Sequence, residues 1–317
     1  MKARPTMGCF GYILLPPVAR SVHETFNVSV LVYHRRYERY CAIEGVAMAT
    51  MSESREVRPS VEHPVAIVLG SGLGQLSGLV KPVRRIPYKE IPGFPQSAQP
   101  VSGHVFEATV GTVGGVPVVV YPGRVHLYQG YDAWGVTSVV RHAHRLGCRT
   151  IVFACATGAI PGKAEVGLGL ITDHINLTGT NPLVGWSEDA SAGDGTSYEF
   201  VSMNEVYSQR LRGIARKAAE DERVALNEGV LAGVLGPSFE TPAEVRALGA
   251  LGATYVGFSV VLEAIQAHAL GMSVLGLTLA SNLAGAAGVS HQTVLDVAGN
   301  YASQFERLVC RTLRNLM

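Results

Sequence analysis

The stretch YPGRVHLYQGYD (121–132) places Arg124, His126 and Tyr128 at alternate positions, with Val125 and Leu127 between them. In an extended chain, alternate side chains share a face. A cation, an imidazole and a phenol would then line one surface while the two apolar residues pack behind it. A guanidinium presents a planar fork of donors that suits phosphate oxygens. Other chemistry-bearing residues stand singly among small ones. Ser71 lies in GSGLG (70–74), where glycines let backbone N–H groups approach a small anion and the hydroxyl adds a donor. Glu240 closes GPSFE (236–240), a turn walled by Phe239, and a carboxylate there can accept from the N–H donors of a flat heterocycle. Asn282 follows a stretch without charges in SNLAG (281–285), and its amide is both donor and acceptor, as a purine edge requires.

The elements that must position these residues are legible from the apolar runs. They occur at 65–70, 116–121, 150–156, 168–177, 230–236, 254–259 and 273–281. Being continuous rather than alternating, they read as strands buried on both faces. Helical patterns fall between them at 132–147, 205–221, 242–252, 260–271 and 291–316. Thr241, Pro242 and Glu244 announce the third of these as cap, first helical position and capping box. Val294, Val297, Tyr301, Phe305 and Leu308 form one apolar stripe on the last. Strands alternating with helices predict a single α/β domain with a central, mainly parallel or mixed β-sheet flanked by helices, over 61–317. The candidate groups all stand where apolar runs end, the place where open α/β folds bind ligands.

Composition narrows the function classes. Hydrophobic residues make up 47% and charged ones 16% of 317 positions, which fits a large buried body or an oligomer. Lys plus Arg number 26 against 25 Asp plus Glu, so no global field favours nucleic acid or an anionic membrane. No apolar run approaches the ~18 residues of a membrane span. Five scattered cysteines without C-x-x-C indicate neither a zinc site nor a disulfide framework, and imply a cytoplasmic setting. Residues 1–60 lack a sustained period and read as an extension outside the fold, with Met48 and Met51 as alternative starts. GSGLG lacks the third glycine of a dinucleotide fingerprint, Gln75 standing in its place, so an NAD-dependent oxidoreductase is a poor reading.

Taken together, GSGLG, PGRVHLYQGY, EVGLGLITDHINLTGTNPL, GPSFETPAEVRALGALGATYVGFS and SNLAG…SHQTVL resemble the purine nucleoside phosphorylases of the trimeric class that favours 6-oxopurines. The resemblance runs in order from about 62 to 313. It implies that Ser71, His104, Arg124, His126, the Ala156 backbone and Ser259 surround phosphate, that Tyr128, Phe258 and His291 surround ribose, and that Glu240 and Asn282 grip the purine. Asn282, Glu240 and His126 would carry the catalysis. The implied reaction converts a purine nucleoside such as inosine or guanosine and inorganic phosphate to free base and ribose 1-phosphate, without metal or organic cofactor. The partners implied are a nucleoside, phosphate and copies of the chain in a homotrimer. A neighbour's aromatic would close each site, with Trp186 and Tyr198 as candidates.

The chain departs from the family pattern at several points. Cys155 stands for an Asn, GFSVVLE (257–263) for GMSTVPE, Glu107 follows His104 where a cation is usual, and Gln129 replaces an acid. Two alternatives follow: a catalytically impaired purine- or phosphate-binding relative, and a methylthioadenosine phosphorylase.

Overall fold

Every one of the seven apolar runs becomes a strand. The computed structural model describes residues 63–102, 104–185 and 200–317. Its strands are β1 (Val65–Val68), β2 (Lys81–Pro87), β3 (Glu107–Val113), β4 (Val116–Tyr121), β5 (Thr150–Ala159), β6 (Gly167–Leu177), β7 (Asn227–Val234), β8 (Tyr255–Gly257) and β9 (Ser273–Leu283). Six α-helices accompany them among the described residues: α1 (Ala133–Val136), α2 (Ser138–Arg145), α3 (Gln209–Glu222), α4 (Pro242–Ala250), α5 (Val261–Ala269) and α6 (His291–Arg314). The proposed extension at 1–60 and its alternative starts lie outside the described residues.

The strands form one mixed sheet in the order β2-β3-β4-β1-β5-β8-β7-β6-β9. β1 runs parallel to both β4 and β5, while β2, β3 and β4 form an antiparallel meander. β9 returns to pair in parallel with β5, so the last five strands of that order close on themselves. Closure leaves these strands without a free edge. A bulge in β5 at Thr157/Gly158 marks where the strand continues beside β8. Bulges often sit beside functional sites because they re-aim the chain.

Side-chain alternation along β1 divides the core. Ala66 and Val68 face one cluster with Tyr121, Phe153, Val139 and Ile265. Val65, Ile67 and Leu69 face the other, with Val120, Leu211, Phe305 and Leu308. Each such large side chain contributes about 1.5–3 kcal/mol on burial. Helix α6 lies against this second cluster through Tyr301, Phe305 and Leu308 of the stripe, joined by Ala298, Val309 and Leu313; Val294 faces the cleft at the strand exits.

Two expectations need correction. The helix expected over 132–147 is broken at Thr137, whose hydroxyl donates to the Ala133 carbonyl at 2.8 Å. Such back-bonding bends helices. The chain after Tyr121 is not a continuing strand either, because Leu127–Gln129 form a 3-10 turn. Alternation therefore does not put Arg124, His126 and Tyr128 on one face.

Candidate active site

The strand exits converge on one cleft of about 700 Å³, counting the space open at its mouth. Ser71, His126, Tyr128, Ala156, Glu240, Phe258, Ser259, Asn282 and His291 all line it. His104 and Arg124 lie beneath it, at 7% and 0% exposure.

The buried layer explains how Ser71 and His126 are held. The Arg124 backbone N–H donates to His104 Nδ1 at 2.8 Å. Nδ1 also lies 3.1 Å from the Arg124 carbonyl, and Nε2 lies 3.1 Å from Ser71 Oγ, so the ring tautomer sets which of Ser71 and His104 donates. His126 is set by Gln129, whose Oε1 accepts from the His126 backbone N–H at 2.9 Å and from ring Nδ1 at 3.3 Å. This leaves the lone pair on Nε2. The His126 ring also stacks on Tyr128, 4.8 Å between centroids. Burial, with the charge of Arg124, holds His104 down at about 4. Burial, then His104 and Arg124, holds His126 down at about 3. Both rings are neutral at pH 7.

Arg124 does not present its guanidinium to the cleft. Nη2 donates to the Val68 carbonyl at 2.9 Å and the Ala154 carbonyl at 3.0 Å, and Nη1 donates to Glu263 Oε2 at 3.1 Å. The side chain thus ties the end of β1 to β5 from below. Burial raises the Glu263 carboxyl while Arg124 opposes that rise. Glu263 Oε2 also accepts from the Val260 N–H at 2.7 Å.

An aromatic wall closes one side. Phe258 meets Tyr128 edge-on at 6.0 Å and Phe239 at 6.1 Å between centroids. Gly236 permits this approach: a Cβ there would lie 3.0 Å from the Phe258 ring, and its φ of 69° disfavours any side chain. Glu240 is half-buried, and burial raises its carboxyl. The adjacent helix does not use it as a cap. Thr241 N–H donates to Glu244 Oε2 at 2.7 Å and Thr241 Oγ1 accepts from the Glu244 N–H at 3.2 Å. Asn282, also on the cleft wall, is fixed at both ends of its amide. Oδ1 accepts from Ser281 Oγ at 3.0 Å and Nδ2 donates to the Leu283 carbonyl at 3.0 Å. His291, at the start of α6, reaches the Ser102 carbonyl at 3.1 Å.

The departures from the family pattern fall mostly outside the cleft wall. Cys155 is buried with its sulfur 3.8 Å from the Leu277 carbonyl, and burial pushes its thiol up to about 11. Glu107 pairs with Arg85 across the outer strands at 2.9 Å. Phe258 does line the cleft, as an apolar replacement for Met. Trp186 and Tyr198 lie outside the described residues. Thr157, Gly158 and Ser281 also line the cleft and were not singled out from the sequence. Ser281 stands directly before Asn282, a hydroxyl beside an amide that could have signalled it. Among the described residues no group of three or more His, Cys, Asp or Glu could hold a metal, and no helix is long and apolar enough to cross a membrane.

The sequence profile of the Phosphorylase superfamily matches residues 64–314. Purine nucleoside phosphorylase 1 of Geobacillus stearothermophilus is 38% identical over 258 residues, covering 80% of this chain and 91% of that one. The chain belongs to the purine nucleoside phosphorylases. Members of this family are pentosyltransferases. The purine nucleoside phosphorylase of Mycobacterium tuberculosis is 41% identical over 254 residues, covering 78% of this chain and 88% of that one. In structure, the chain is similar to isoform 2 of the Schistosoma mansoni purine nucleoside phosphorylase, solved in complex with cytosine and ribose-1-phosphate. The TM-score is 0.71 at 32% identity, covering 79% of this chain and 90% of that one.

Proposed function

We propose that this phosphorylase acts on 6-oxopurine nucleosides such as inosine and guanosine, with inorganic phosphate as co-substrate. One observation carries the reading. Ser71, His126 and Ser259, suited to an oxyanion, share a single cleft with Glu240 and Asn282, suited to a purine edge. Phosphate sits against the hydroxyls of Ser71 and Ser259. The Nε2 lone pair of neutral His126 accepts the proton of a phosphate O–H. Ribose lies against Tyr128, Phe258 and His291, and the base beyond it.

A phosphate oxygen bonds to C1′ as the C1′–N9 bond breaks, and the bonding pair passes into the purine. Asn282 stabilises the negative charge at N7, and Glu240 accepts from N1–H. Catalysis rests on positioning and charge stabilisation. An amide at 282, rather than an acid, supports the 6-oxo preference. Val184 and Phe200, apolar and exposed on either side of 186–199, support a contact with another copy of the chain, which we read as one seam of a homotrimer. Buried free thiols at Cys148 and Cys155 support a reducing, cytoplasmic setting. The test is release of base from inosine and from guanosine with and without phosphate, with adenosine in parallel. Phosphate-dependent release from inosine, and much slower turnover of adenosine, is expected. No release from inosine or guanosine, or a preference for adenosine-type substrates, would overturn the proposal.

A further inference from the structure

The segment between β8 and α5 gives the cleft both Phe258 and Ser259. Immediately after them Val260 adopts φ 74° and ψ −45°. A β-branched side chain is crowded in that region. The Val261 N–H donates to the Ser259 carbonyl at 3.0 Å, closing a three-residue γ-turn around Val260. Nothing in valine favours this conformation, so neighbouring contacts must hold it.

Those contacts converge on one carboxylate. Glu263 is fully buried, and its Oε2 accepts both the Val260 N–H at 2.7 Å and Arg124 Nη1 at 3.1 Å. Arg124 is anchored in turn on the Val68 and Ala154 carbonyls. The strained turn is therefore tied to the end of β1, which leads into Ser71, and to the middle of β5, two residues before Ala156. We propose that Glu263 and Arg124 form a positioning pair that clamps the Val260 turn and so sets how Ser259 and Phe258 project into the cleft. Its kinetic consequence rests on the phosphorolysis reading given above. The simpler role for Glu263, neutralising a buried arginine, requires no coupling to Val260.

Two substitutions separate these roles. Val260→Ala and Val260→Gly delete the same branched side chain, but only glycine is relaxed at positive φ. Val260→Gly is expected to melt above Val260→Ala, reversing their usual order. In a Glu263→Gln background the phosphate KM is expected to rise about tenfold, with a smaller change in kcat. Adding Val260→Gly returns that KM to within about threefold of the parent, whereas adding Val260→Ala does not. Equal melting of the two Val260 variants, or equal effects on the Glu263→Gln KM, would overturn the proposal. Should Glu263→Gln fail to fold, Glu263→Asp, whose shorter carboxylate keeps the charge beside Arg124 but draws back from the Val260 N–H, takes its place in the same KM comparison. The melting comparison needs no turnover, so failure of the phosphorolysis reading would leave it intact and be seen separately, in the parent protein.

Discussion

The amide of Asn282 is held at both ends, by Ser281 and by the Leu283 carbonyl, before any ligand arrives. A donor fixed in advance stabilises developing charge without reorganising. Asn282→Ala should lower kcat for inosine about 100-fold, a loss typical of one removed charge-stabilising donor, with little change in melting temperature. His126 offers a second test at this scale. In Gln129→Glu a carboxylate would accept the Nδ1 proton and favour the imidazolium. The midpoint of His126, read by NMR, should rise from about 3; an unmoved midpoint would show that Gln129 does not set this ring. Most cleft residues were legible because a hydroxyl, amide or carboxylate stands out at the end of an apolar run. Arg124 was not, because reading alternate positions assumes an extended chain, and the chain turns away. Its partner Glu263 lies 139 positions further on, inside an apolar stretch with no local sign of a buried ion pair.

At the scale of elements, the strands buried on both faces were readable and the outer meander was not. β2 buries only Ile86 and exposes Lys81, Arg84 and Arg85, so it carries no continuous apolar signal. β3 alternates and contains Gly111, against which the Lys81 backbone packs closely. Glycine weakens any strand signal. Closure of the ring depends on β5 meeting β9, more than a hundred residues apart, which no local pattern encodes. The capping box of α4, by contrast, is encoded within four consecutive residues, Thr241–Glu244, and is legible from them alone. The turn after β7 supplies the prediction here. Gly236→Ala would press a methyl against Phe258 and place alanine at φ 69°. It should cost about 1–3 kcal/mol of stability. Phe258 would shift, so the KM for nucleoside should rise while that for phosphate changes little; equal rises would detach Phe258 from the sugar.

Across the whole molecule, burying neutral histidines links stability to pH. Burial holds His104 at about 4, His126 at about 3 and His142 at about 4, all below the unfolded value of 6.5. Between those limits the unfolded chain binds more protons, so stability rises with pH. The contribution is complete above about 6.5 and lost as pH falls toward 4, each group costing roughly 2 kcal/mol at pH 5. Melting temperature should therefore drop steeply from pH 6.5 to 4.5; a flat profile would contradict neutral burial. The arrangement of the cleft is tested most directly by a crystal structure of the protein with hypoxanthine and ribose 1-phosphate. The expected result puts the phosphate group within hydrogen-bond distance of Ser71, His126 and Ser259, with the base on Glu240 and Asn282 and Arg124 still on Glu263. A phosphate group away from Ser71 and Ser259, or a base that touches neither Glu240 nor Asn282, would contradict it.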